Sequence, residues 1–368
     1  MNDEFYIKRA LRLAVKARGL TSPNPMVGAV VVKNNKIVSE DYHKRPGGPH
    51  AEALVIETAG KNVKGSTLYV NLEPCCHIEK RTPPCTRSII NAGIKKVVMS
   101  MIDPNPRVSG RGVSELERAG IQVHIGVLEK EATRLNEFYI KYITSGRPFV
   151  ILKTAMTLDG KIATPDGKSK WITGEKARKM VHYTRSCVDA VLTAIGTVKA
   201  DDPQMTSRIK RGRNPLRVVI DPHLEISPYA KILKIPPDTI IVTKRSDKRV
   251  LNKKIIEKKK KIYNKGVQIL EYGSKKVNLV WLIEKLGRRG ITSILIEGGG
   301  SLNAYALKAG IVDKVMFYIA PKIIGGTKSF PVIGGETYRR LEEAYRVKEA
   351  KIKKIGEDFV IEGYIEGR

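Results

Sequence analysis

Short apolar stretches alternate with polar segments along the first 127 residues, and each stretch has the length of a strand or a short helix. Residues 1–19 predict an amphipathic helix, and two apolar runs that flank Asn34-Asn35 predict a β-hairpin. A helix is predicted to follow Pro49 and to end at Gly60. Strands and helices then alternate, which predicts a largely parallel sheet with helices packed on it. The later strands are expected within 66–74, 95–103 and 121–127, and the helices within 86–94 and 114–120.

A basic segment that contains glycine and proline, at 145–149, interrupts this pattern, and a second α/β pattern begins after it. We place a domain boundary near Gly146, with one domain over 1–145 and the other over 146–368. The strands of the second domain are expected within 150–164, 189–196, 216–221, 238–245, 293–301 and 312–321, with a helix within 175–186.

The 368 residues are 42% hydrophobic and 28% charged, which is typical of a soluble globular protein. No apolar run approaches the roughly 20 residues that cross a bilayer, and the N-terminal pattern is not that of a signal peptide. We therefore expect a cytoplasmic protein with no membrane partner. In a reducing compartment, clustered cysteines bind metal or do chemistry more often than they form disulfides. The isolated Cys187 is expected to be a small buried apolar residue.

The formal net charge is +30, and part of it lies in a lysine-rich stretch at 253–265. Nucleic-acid binding is one interpretation of such a charge. The basic residues are spread along the chain, however, and no nucleic-acid motif surrounds them. A solvated helix face is therefore the preferred interpretation of the lysine-rich stretch, and no nucleic-acid partner is expected.

His50 and three of the four cysteines fall between residues 50 and 85. A catalytic zinc takes three protein ligands and keeps the fourth position for water. Glu52 could then take a proton from that water and pass it to a leaving amine. The three candidate ligands are His50, Cys75 and Cys85.

Two other interpretations of the cysteines stay open at this point. Cys76 or His77 could complete a structural zinc site with four protein ligands, although such a site leaves Glu52 without a role. A disulfide is the second alternative.

A glycine-rich turn lies between a predicted strand and a predicted helix at 293–310. Such a junction exposes backbone N–H groups at the N-terminus of a helix, where they can bind a phosphate. A plain turn is the alternative for a Gly-Gly-Gly sequence on its own.

Several further segments make the pattern specific. The string P-C-x-H followed by R-T-P-P-C resembles the deaminase half of the bifunctional riboflavin-biosynthesis deaminase/reductase family, and so do the segments at 21–32, 47–52 and 103–106. The segments at 152–164, 169–174 and 196–208 resemble the reductase half. The resemblance covers nearly the whole chain in the expected order. It implies an α/β fold of two domains, a cytidine-deaminase-like three-layer α/β/α domain and a dihydrofolate-reductase-like α/β domain.

The resemblance also assigns residues in the first domain. It places the zinc ligands on His50, Cys75 and Cys85 and the proton carrier on Glu52. Asn24 and His43 match positions of the substrate pocket. The loop at 76–81 is one residue longer than the usual form of the family, so the contacts of His77 and Arg81 with substrate stay open.

In the second domain the resemblance assigns a cofactor site and a substrate site. Lys153 and Asp201 are the polar groups expected to assist hydride transfer. The matching cofactor positions are Ala155, Trp171, Thr197, Asp201, Thr243, Gly298, Gly299, Gly300, Ser301, Leu302 and Asn303. The matching substrate positions are Ser169, Arg185, Met205, Arg208 and Glu297. Lys244 and Arg245 either pair with a 2′-phosphate of the cofactor or lie in a solvated loop.

The resemblance implies two consecutive reactions on a phosphorylated pyrimidine. The first domain, with Zn²⁺, hydrolyses an amine from 2,5-diamino-6-(5-phosphoribosylamino)pyrimidin-4(3H)-one. The second domain, with NADPH, reduces the ribosyl side chain to ribityl. We expect a homo-oligomer, either a dimer or a tetramer.

Two other classes of protein are alternatives. A deaminase of nucleic-acid bases with a basic accessory domain would bind no nicotinamide cofactor. A zinc-stabilised module without enzymatic activity would have a closed site with four protein ligands.

Overall fold

The computed structural model describes residues 2–77, 83–210, 212–235, 239–245, 253–335 and 340–366. The chain divides into two compact units, an N-terminal unit of Met1–Arg147 and a C-terminal unit of Pro148–Arg368. The sequence placed this division near Gly146. Among the described helices, none combines the length and the apolar character that spanning a bilayer requires.

The described part of the N-terminal unit contains one five-stranded sheet with the strand order β2-β1-β3-β4-β5. Its strands are β1 Gly28–Lys33, β2 Lys36–Tyr42, β3 Thr67–Val70, β4 Lys96–Met99 and β5 Gln122–Ile125. Its helices are α1 Asp3–Val15, α2 Ala51–Ala59, α3 Cys85–Asn91, α4 Arg111–Arg118, α5 Glu129–Leu135 and α6 Glu137–Ser145.

The predicted hairpin is confirmed. Asn34 and Asn35 form its two-residue turn with φ of 49° and 59°, a conformation that asparagine tolerates better than most residues. Strand β1 is antiparallel to both β2 and β3, whereas β3, β4 and β5 are parallel. The expectation of a largely parallel sheet therefore holds only for β3 to β5, because the hairpin inserts β1 in the opposite direction.

Alternate residues of β1 face two separate hydrophobic cores. Ala29 and Val31 are fully buried in the core that contains residues of α2, and Val30 and Val32 face the core that contains residues of α1. Successive side chains of a strand point to opposite faces, so helices cover both sides of the sheet. The result is the predicted three-layer α/β/α arrangement.

The three parallel strands of this unit have their amino ends at one edge and their carboxyl ends at the other. At the amino edge, the loops before β3 and β4 contact each other, with Gly65 N donating to the Gly93 carbonyl at 2.7 Å. The chain segments that leave the carboxyl ends of β3 and β4 also pair, with Glu73 N donating to the Met101 carbonyl at 3.0 Å.

The described part of the C-terminal unit contains a nine-stranded sheet, order β11-β10-β9-β8-β12-β6-β13-β16-β15, and a small sheet of β7 and β14. The strands are β6 Phe149–Thr157, β7 Lys161–Ala163, β8 Ala190–Ala194, β9 Leu216–Ile220, β10 Thr239–Lys244, β11 Gln268–Tyr272, β12 Ser293–Ile296, β13 Lys314–Ala320, β14 Phe330–Pro331, β15 Val347–Ile355 and β16 Asp358–Ile365. The helices are α7 Glu175–Cys187, α8 Ile195–Asp201, α9 Lys253–Tyr263, α10 Leu279–Gly287 and α11 Gly300–Lys308.

The large sheet is parallel from β11 to β13 and ends in an antiparallel hairpin of β15 and β16. The central parallel strands β8, β9, β10 and β12 are buried along nearly their whole length, as expected for a sheet covered on both faces. The sequence analysis missed the hairpin. Most of β15 is exposed, so it lacks the alternation of apolar and polar residues that marks a half-buried strand.

Cys187 was predicted to be buried, and it is only partly buried. This last residue of α7 is half-buried, with its Sγ 3.9 Å from Ser186 Oγ. The lysine-rich stretch forms α9, whose one fully buried described side chain is Ile262. A helix with a narrow apolar contact and exposed lysines agrees with the preferred interpretation of a solvated face.

Candidate active sites

The three predicted zinc ligands lie together in the N-terminal unit. His50 immediately precedes α2, Cys75 follows β3, and Cys85 is the first residue of α3. His50 Nδ1 lies 3.4 Å from Cys75 Sγ and 3.3 Å from Cys85 Sγ, and the two sulfurs are 3.3 Å apart. Two thiolates and an imidazole that converge in this way form a donor set that zinc prefers.

The surroundings of this cluster fit a metal with a position left for water. The donor group that the described residues form has three members, and neither Cys76 nor His77 is one of them. Glu52 is 3% exposed, and its Oε2 has no hydrogen-bond partner among the described residues. Burial raises the pKa of this carboxyl group, which suits a group that must carry a proton. Cys75 and Cys85 do not form the disulfide that was the second alternative.

His43 and Asn24 form a hydrogen-bonded pair beside the cluster. The Nδ1 atom of His43 lies 2.9 Å from the Pro49 carbonyl oxygen, which can only accept, so Nδ1 carries the proton. Nε2 therefore accepts from the Asn24 amide at 3.1 Å. The rings of His43 and His50 are 5.3 Å apart, and burial lowers the pKa of His43. A neutral imidazole with a fixed tautomer is suited to orienting a planar ring.

The sequence analysis missed Glu73, which precedes Pro74 and Cys75. Its carboxylate is 3% exposed and accepts hydrogen bonds from backbone N–H groups of the segment 103–113. No local pattern marks such a residue, because its partners lie about thirty to forty positions away along the chain.

The C-terminal unit contains a cavity of about 1210 Å³. It is bounded by residues from β6, α7, α8 and the turn after β12. Most of the predicted reductase residues line it, namely Lys153, Ala155, Ser169, Trp171, Arg185, Thr197, Asp201, Met205, Arg208, Glu297, Gly298, Gly299, Gly300, Ser301 and Leu302. The cavity is large enough for a dinucleotide cofactor together with part of a substrate.

A buried cluster of charges forms one wall of the cavity. The carboxylate of Glu297 accepts from Lys153 Nζ at 3.1 Å and from Arg185 Nε at 2.6 Å. Burial alone would raise the pKa of Glu297, but the charges of Arg185 and Lys153 hold it well below its ordinary value. The carboxylate thus stays ionised. It holds the Lys153 ammonium group and the Arg185 guanidinium group at the cavity wall.

The end of α8, at Asp201, and the segment that follows it bring further polar groups to the cavity. Asp201 Oδ1 accepts from Ser169 Oγ at 3.0 Å, and Lys170 Nζ lies 3.7 Å from the same oxygen. Met205 and Arg208, in the same segment, have φ of 53°. Left-handed backbone at residues other than glycine costs free energy and is concentrated at functional sites. This conformation is consistent with the predicted contacts of both residues with a ligand.

The glycine-rich turn forms a cradle at the N-terminus of α11. A Cβ atom at Gly300 would lie 2.4 Å from the Pro331 carbonyl oxygen, so the backbone of 331–334 packs directly on this glycine. A Cβ at Gly299, in contrast, would have no atom within 4 Å. Open space above the first turn of a helix is where an anionic group can reach free N–H groups. The cradle therefore fits the phosphates of a nicotinamide cofactor.

Two predicted cofactor residues do not reach the cavity wall. Thr243 is buried, and its Oγ1 donates to the Pro222 carbonyl at 3.2 Å. Asn303 is fully buried, and its Nδ2 donates to the Val332 carbonyl at 2.9 Å. Both side chains hold neighbouring backbone in place rather than face the cavity.

His182 and Arg178 also line the cavity, and the sequence analysis assigned neither. His182 Nδ1 lies 3.3 Å from the Thr206 carbonyl, which also accepts from Arg185 Nη1 at 3.1 Å. Arg178 lies over the ring of Trp171 at 4.6 Å. His182 lies three residues before Arg185 on α7, and residues with that spacing share a helix face. The predicted role of Arg185 could therefore have pointed to His182.

Comparison with known proteins agrees with both sites. A model of the cytidine and deoxycytidylate deaminase zinc-binding region matches residues 1–101, and a model of the RibD C-terminal domain matches residues 148–361. The riboflavin biosynthesis protein RibD of Aquifex aeolicus is 46% identical over 361 residues, covering 98% of this chain and 97% of the relative. The Escherichia coli RibD is 39% identical over 372 residues, covering 97% and 98%.

Two solved structures have the same fold over nearly the full length. The structure of Acinetobacter baumannii RibD has a TM-score of 0.88 at 34% identity, with 99% of each chain covered. A diaminohydroxyphosphoribosylaminopyrimidine deaminase/5-amino-6-(5-phosphoribosylamino)uracil reductase from Thermotoga maritima has a TM-score of 0.85 at 38% identity, also with 99% of each chain covered.

A deaminase-type zinc site and a separate reductase unit in one chain define a bifunctional deaminase/reductase. The relatives of matching length and fold are riboflavin biosynthesis enzymes. The chain belongs to the RibD family. This confirms the predicted two-domain α/β fold, the two enzyme activities and the two cofactors, zinc and NADPH.

Proposed function

We propose that this enzyme deaminates a diaminohydroxyphosphoribosylaminopyrimidine and then reduces the resulting 5-amino-6-(5-phosphoribosylamino)uracil. These are the substrates in the description of the Thermotoga maritima relative. The observation that carries the proposal is the buried carboxylate of Glu52. One of its oxygens has no hydrogen-bond partner among the described residues, and Glu52 lies two residues after His50 of the cluster with Cys75 and Cys85. A purely structural metal site has no use for such a group.

In the deaminase reaction, Glu52 moves the proton. His50, Cys75 and Cys85 would hold a zinc ion, and that ion would supply the Lewis acidity that makes water a nucleophile near neutral pH. Glu52 accepts the proton of the attacking water and donates it to the departing amino nitrogen, which leaves as ammonia. Both ring nitrogens of His43 are used, one by the Pro49 carbonyl and one by the Asn24 amide. The Asn24 side chain, held in this way, offers its remaining hydrogen-bonding groups to the edge of the pyrimidine ring.

In the reductase reaction, the charged wall of the cavity completes the chemistry of the cofactor. NADPH bound in this cavity would supply the hydride to the sugar carbon. The protein must then deliver a proton to the atom that was double-bonded to that carbon. Lys153, held by Glu297 at 3.1 Å, is the group we assign to donate that proton, with Asp201 assisting. Arg208 is the guanidinium group we assign to the substrate phosphate, since such a group binds phosphate oxygens in pairs. The paired donors of Arg185 are already engaged by Glu297, so we assign Arg185 to orienting that carboxylate beside the substrate.

We assign the deaminase to a domain over 1–145 and the reductase to a domain over 146–368.

We also propose a cytoplasmic location and a homo-oligomer, either a dimer or a tetramer. Light scattering of the purified protein during gel filtration measures the number of copies. A monomeric mass would contradict the oligomer without affecting either activity assignment.

The test combines metal analysis with two assays on the purified full-length chain. We expect about one zinc per chain, release of ammonia from the diaminopyrimidine substrate, and oxidation of NADPH only after deamination. A parallel assay with NADH measures the cofactor preference. Ammonia release without oxidation of either nicotinamide cofactor would overturn the reductase assignment, and a zinc-containing protein without ammonia release would overturn the deaminase substrate.

A further inference from the structure

Glu73 connects the segment that carries the zinc ligand Cys75 to a distant loop. Its Oε2 accepts from the backbone N–H groups of Asp103 at 3.1 Å and Gly110 at 3.0 Å, and its Oε1 accepts from Val113 at 3.1 Å. All three donors belong to the segment 103–113, which we call the covering loop.

The carboxylate takes the place of a cap for α4. The N-cap residue of this helix is Gly110, which has no side chain, and Val113 lies in the first helical turn. The N-terminal N–H groups of a helix need acceptors and favour negative charge. Glu73 supplies both from another part of the chain, so the start of α4 is fixed relative to Pro74 and Cys75.

The covering loop contacts the sulfur ligands directly. Val108 is fully buried and packs in one cluster with Cys75 and Cys85. At the other end of the loop, a Cβ on Gly112 would lie 2.3 Å from the Pro74 carbonyl oxygen. Backbone therefore packs against backbone next to Cys75, and an apolar side chain belongs to the same buried cluster as the two cysteines.

We propose that Glu73 is a positioning residue of the zinc site, which holds the covering loop against Cys75 and Cys85. This inference rests on the proposed function only in taking zinc as the metal. A carboxylate is required because it presents only acceptors to three N–H groups, and its hydrogen bonds are charge-assisted. Some residues support the metal ligands without binding the metal themselves. Replacing such a residue typically lowers metal affinity or activity by about 10–100-fold.

The test is the isosteric substitution Glu73→Gln in the full-length chain. The amide group of glutamine turns a donor toward an N–H group, so the covering loop loses at least one hydrogen bond. We expect release of zinc to a chromogenic chelator to become about tenfold faster or more. We also expect the cobalt-substituted variant to show altered d–d and thiolate charge-transfer bands, while its far-UV circular dichroism stays that of the wild type.

The matched control is Glu117→Gln, an exposed glutamate on α4. It removes the same charge from the same region and should leave zinc release and the cobalt spectrum unchanged. A role limited to general stability predicts a lower melting temperature with a wild-type cobalt spectrum, and that result would overturn the inference.

A second variant keeps the inference testable if Glu73→Gln does not fold. Val108→Ala keeps every hydrogen bond of the covering loop and removes only apolar contact with the sulfurs. It should also release zinc several-fold faster, and an unchanged rate would overturn the inference. A wild-type protein that binds no zinc would overturn the proposed function and this inference together, whereas a zinc-binding wild type with unchanged variants overturns only this inference.

Discussion

The guanidinium group of Arg185 donates two hydrogen bonds to the carboxylate of Glu297, from Nε to Oε1 at 2.6 Å and from Nη2 to Oε2 at 3.0 Å. The paired geometry fixes the plane of the carboxylate, and Oε2 also accepts from Lys153. One acidic side chain thus orients two cations of the reductase cavity. Its removal should affect chemistry and stability in separable ways.

Glu297→Gln should lower the reductase kcat by about tenfold or more, because Lys153 loses the charged partner that orients its ammonium group. Deamination should stay within twofold of the wild type, since Glu297 belongs to the C-terminal unit. The measurement is NADPH oxidation on substrate that has already been deaminated. Wild-type kcat in a folded variant would contradict the assigned role of this carboxylate.

Acid should destabilise the C-terminal unit through the same residue. Burial alone would raise the folded-state pKa of Glu297, but the charges of Arg185 and Lys153 lower it below its ordinary value. In the unfolded chain the pKa has the ordinary glutamate value of about 4.3. The unfolded state therefore binds more protons in acid, so the contribution to stability is full above that value and is lost as pH falls toward the folded-state pKa.

Urea unfolding at pH 7 and between about pH 5 and 3 measures this loss. Both tryptophans of the chain, Trp171 and Trp281, lie in the C-terminal unit, so their fluorescence reports on it selectively. Glu297→Gln should be less stable than the wild type at pH 7, and the difference should shrink in acid. A difference that stays constant with pH would contradict the lowered pKa.

Glu52→Gln should retain zinc and lose deamination by a factor of about 10²–10⁴, the usual contribution of a general acid–base group. Reduction of already deaminated substrate should continue at the wild-type rate. The control is Glu57→Gln, which replaces an exposed glutamate on the same helix and should leave both activities unchanged. Retained deamination in the Glu52 variant would refute its role as proton carrier.

Two neighbouring glycines should respond differently to alanine. Gly300→Ala places a methyl group 2.4 Å from the Pro331 carbonyl and should cost about 1–3 kcal/mol of unfolding free energy. Gly299→Ala meets open space and should cost less than about 1 kcal/mol, the size of a lost N-cap preference. It should nevertheless weaken NADPH binding, since its methyl group enters the proposed phosphate position.

Urea unfolding and a fluorescence titration with NADPH separate these effects. Equal stability of the two variants would contradict the close packing at Gly300. Unchanged affinity for NADPH in Gly299→Ala would place the phosphates of the cofactor elsewhere.

The residue types and local patterns were enough to predict the hairpin and the three residues that converge as a possible zinc site. Histidine, cysteine and glutamate carry their chemistry in the side chain, so His50, Cys75, Cys85 and Glu52 could be singled out as candidates before any fold was known. The Asn-Asn pair likewise marks a turn because of its own backbone preference. Features of this kind are properties of one residue or of near neighbours.

The sequence was least informative where a residue acts through distant backbone. Glu73, Asn303 and Thr243 each bind main-chain groups of another segment, and those partners become known only once the chain is folded. The resemblance placed Asn303 and, at the end of a predicted strand, Thr243 at cofactor positions. In the structure their side chains donate to the carbonyl groups of Val332 and Pro222, contacts that no short motif displays.

The arrangement of the N-terminal sheet has a practical consequence for protein engineering. Cys75, Glu73 and the covering loop all follow the carboxyl ends of β3 and β4, whereas the contact of Gly65 with Gly93 lies at the other edge. Both glycines are exposed turn residues. Exposed turns remote from the chemistry tolerate insertions and new chain ends best. An affinity tag, or the termini of a circularly permuted chain, can therefore be placed at this edge with the metal chemistry left intact.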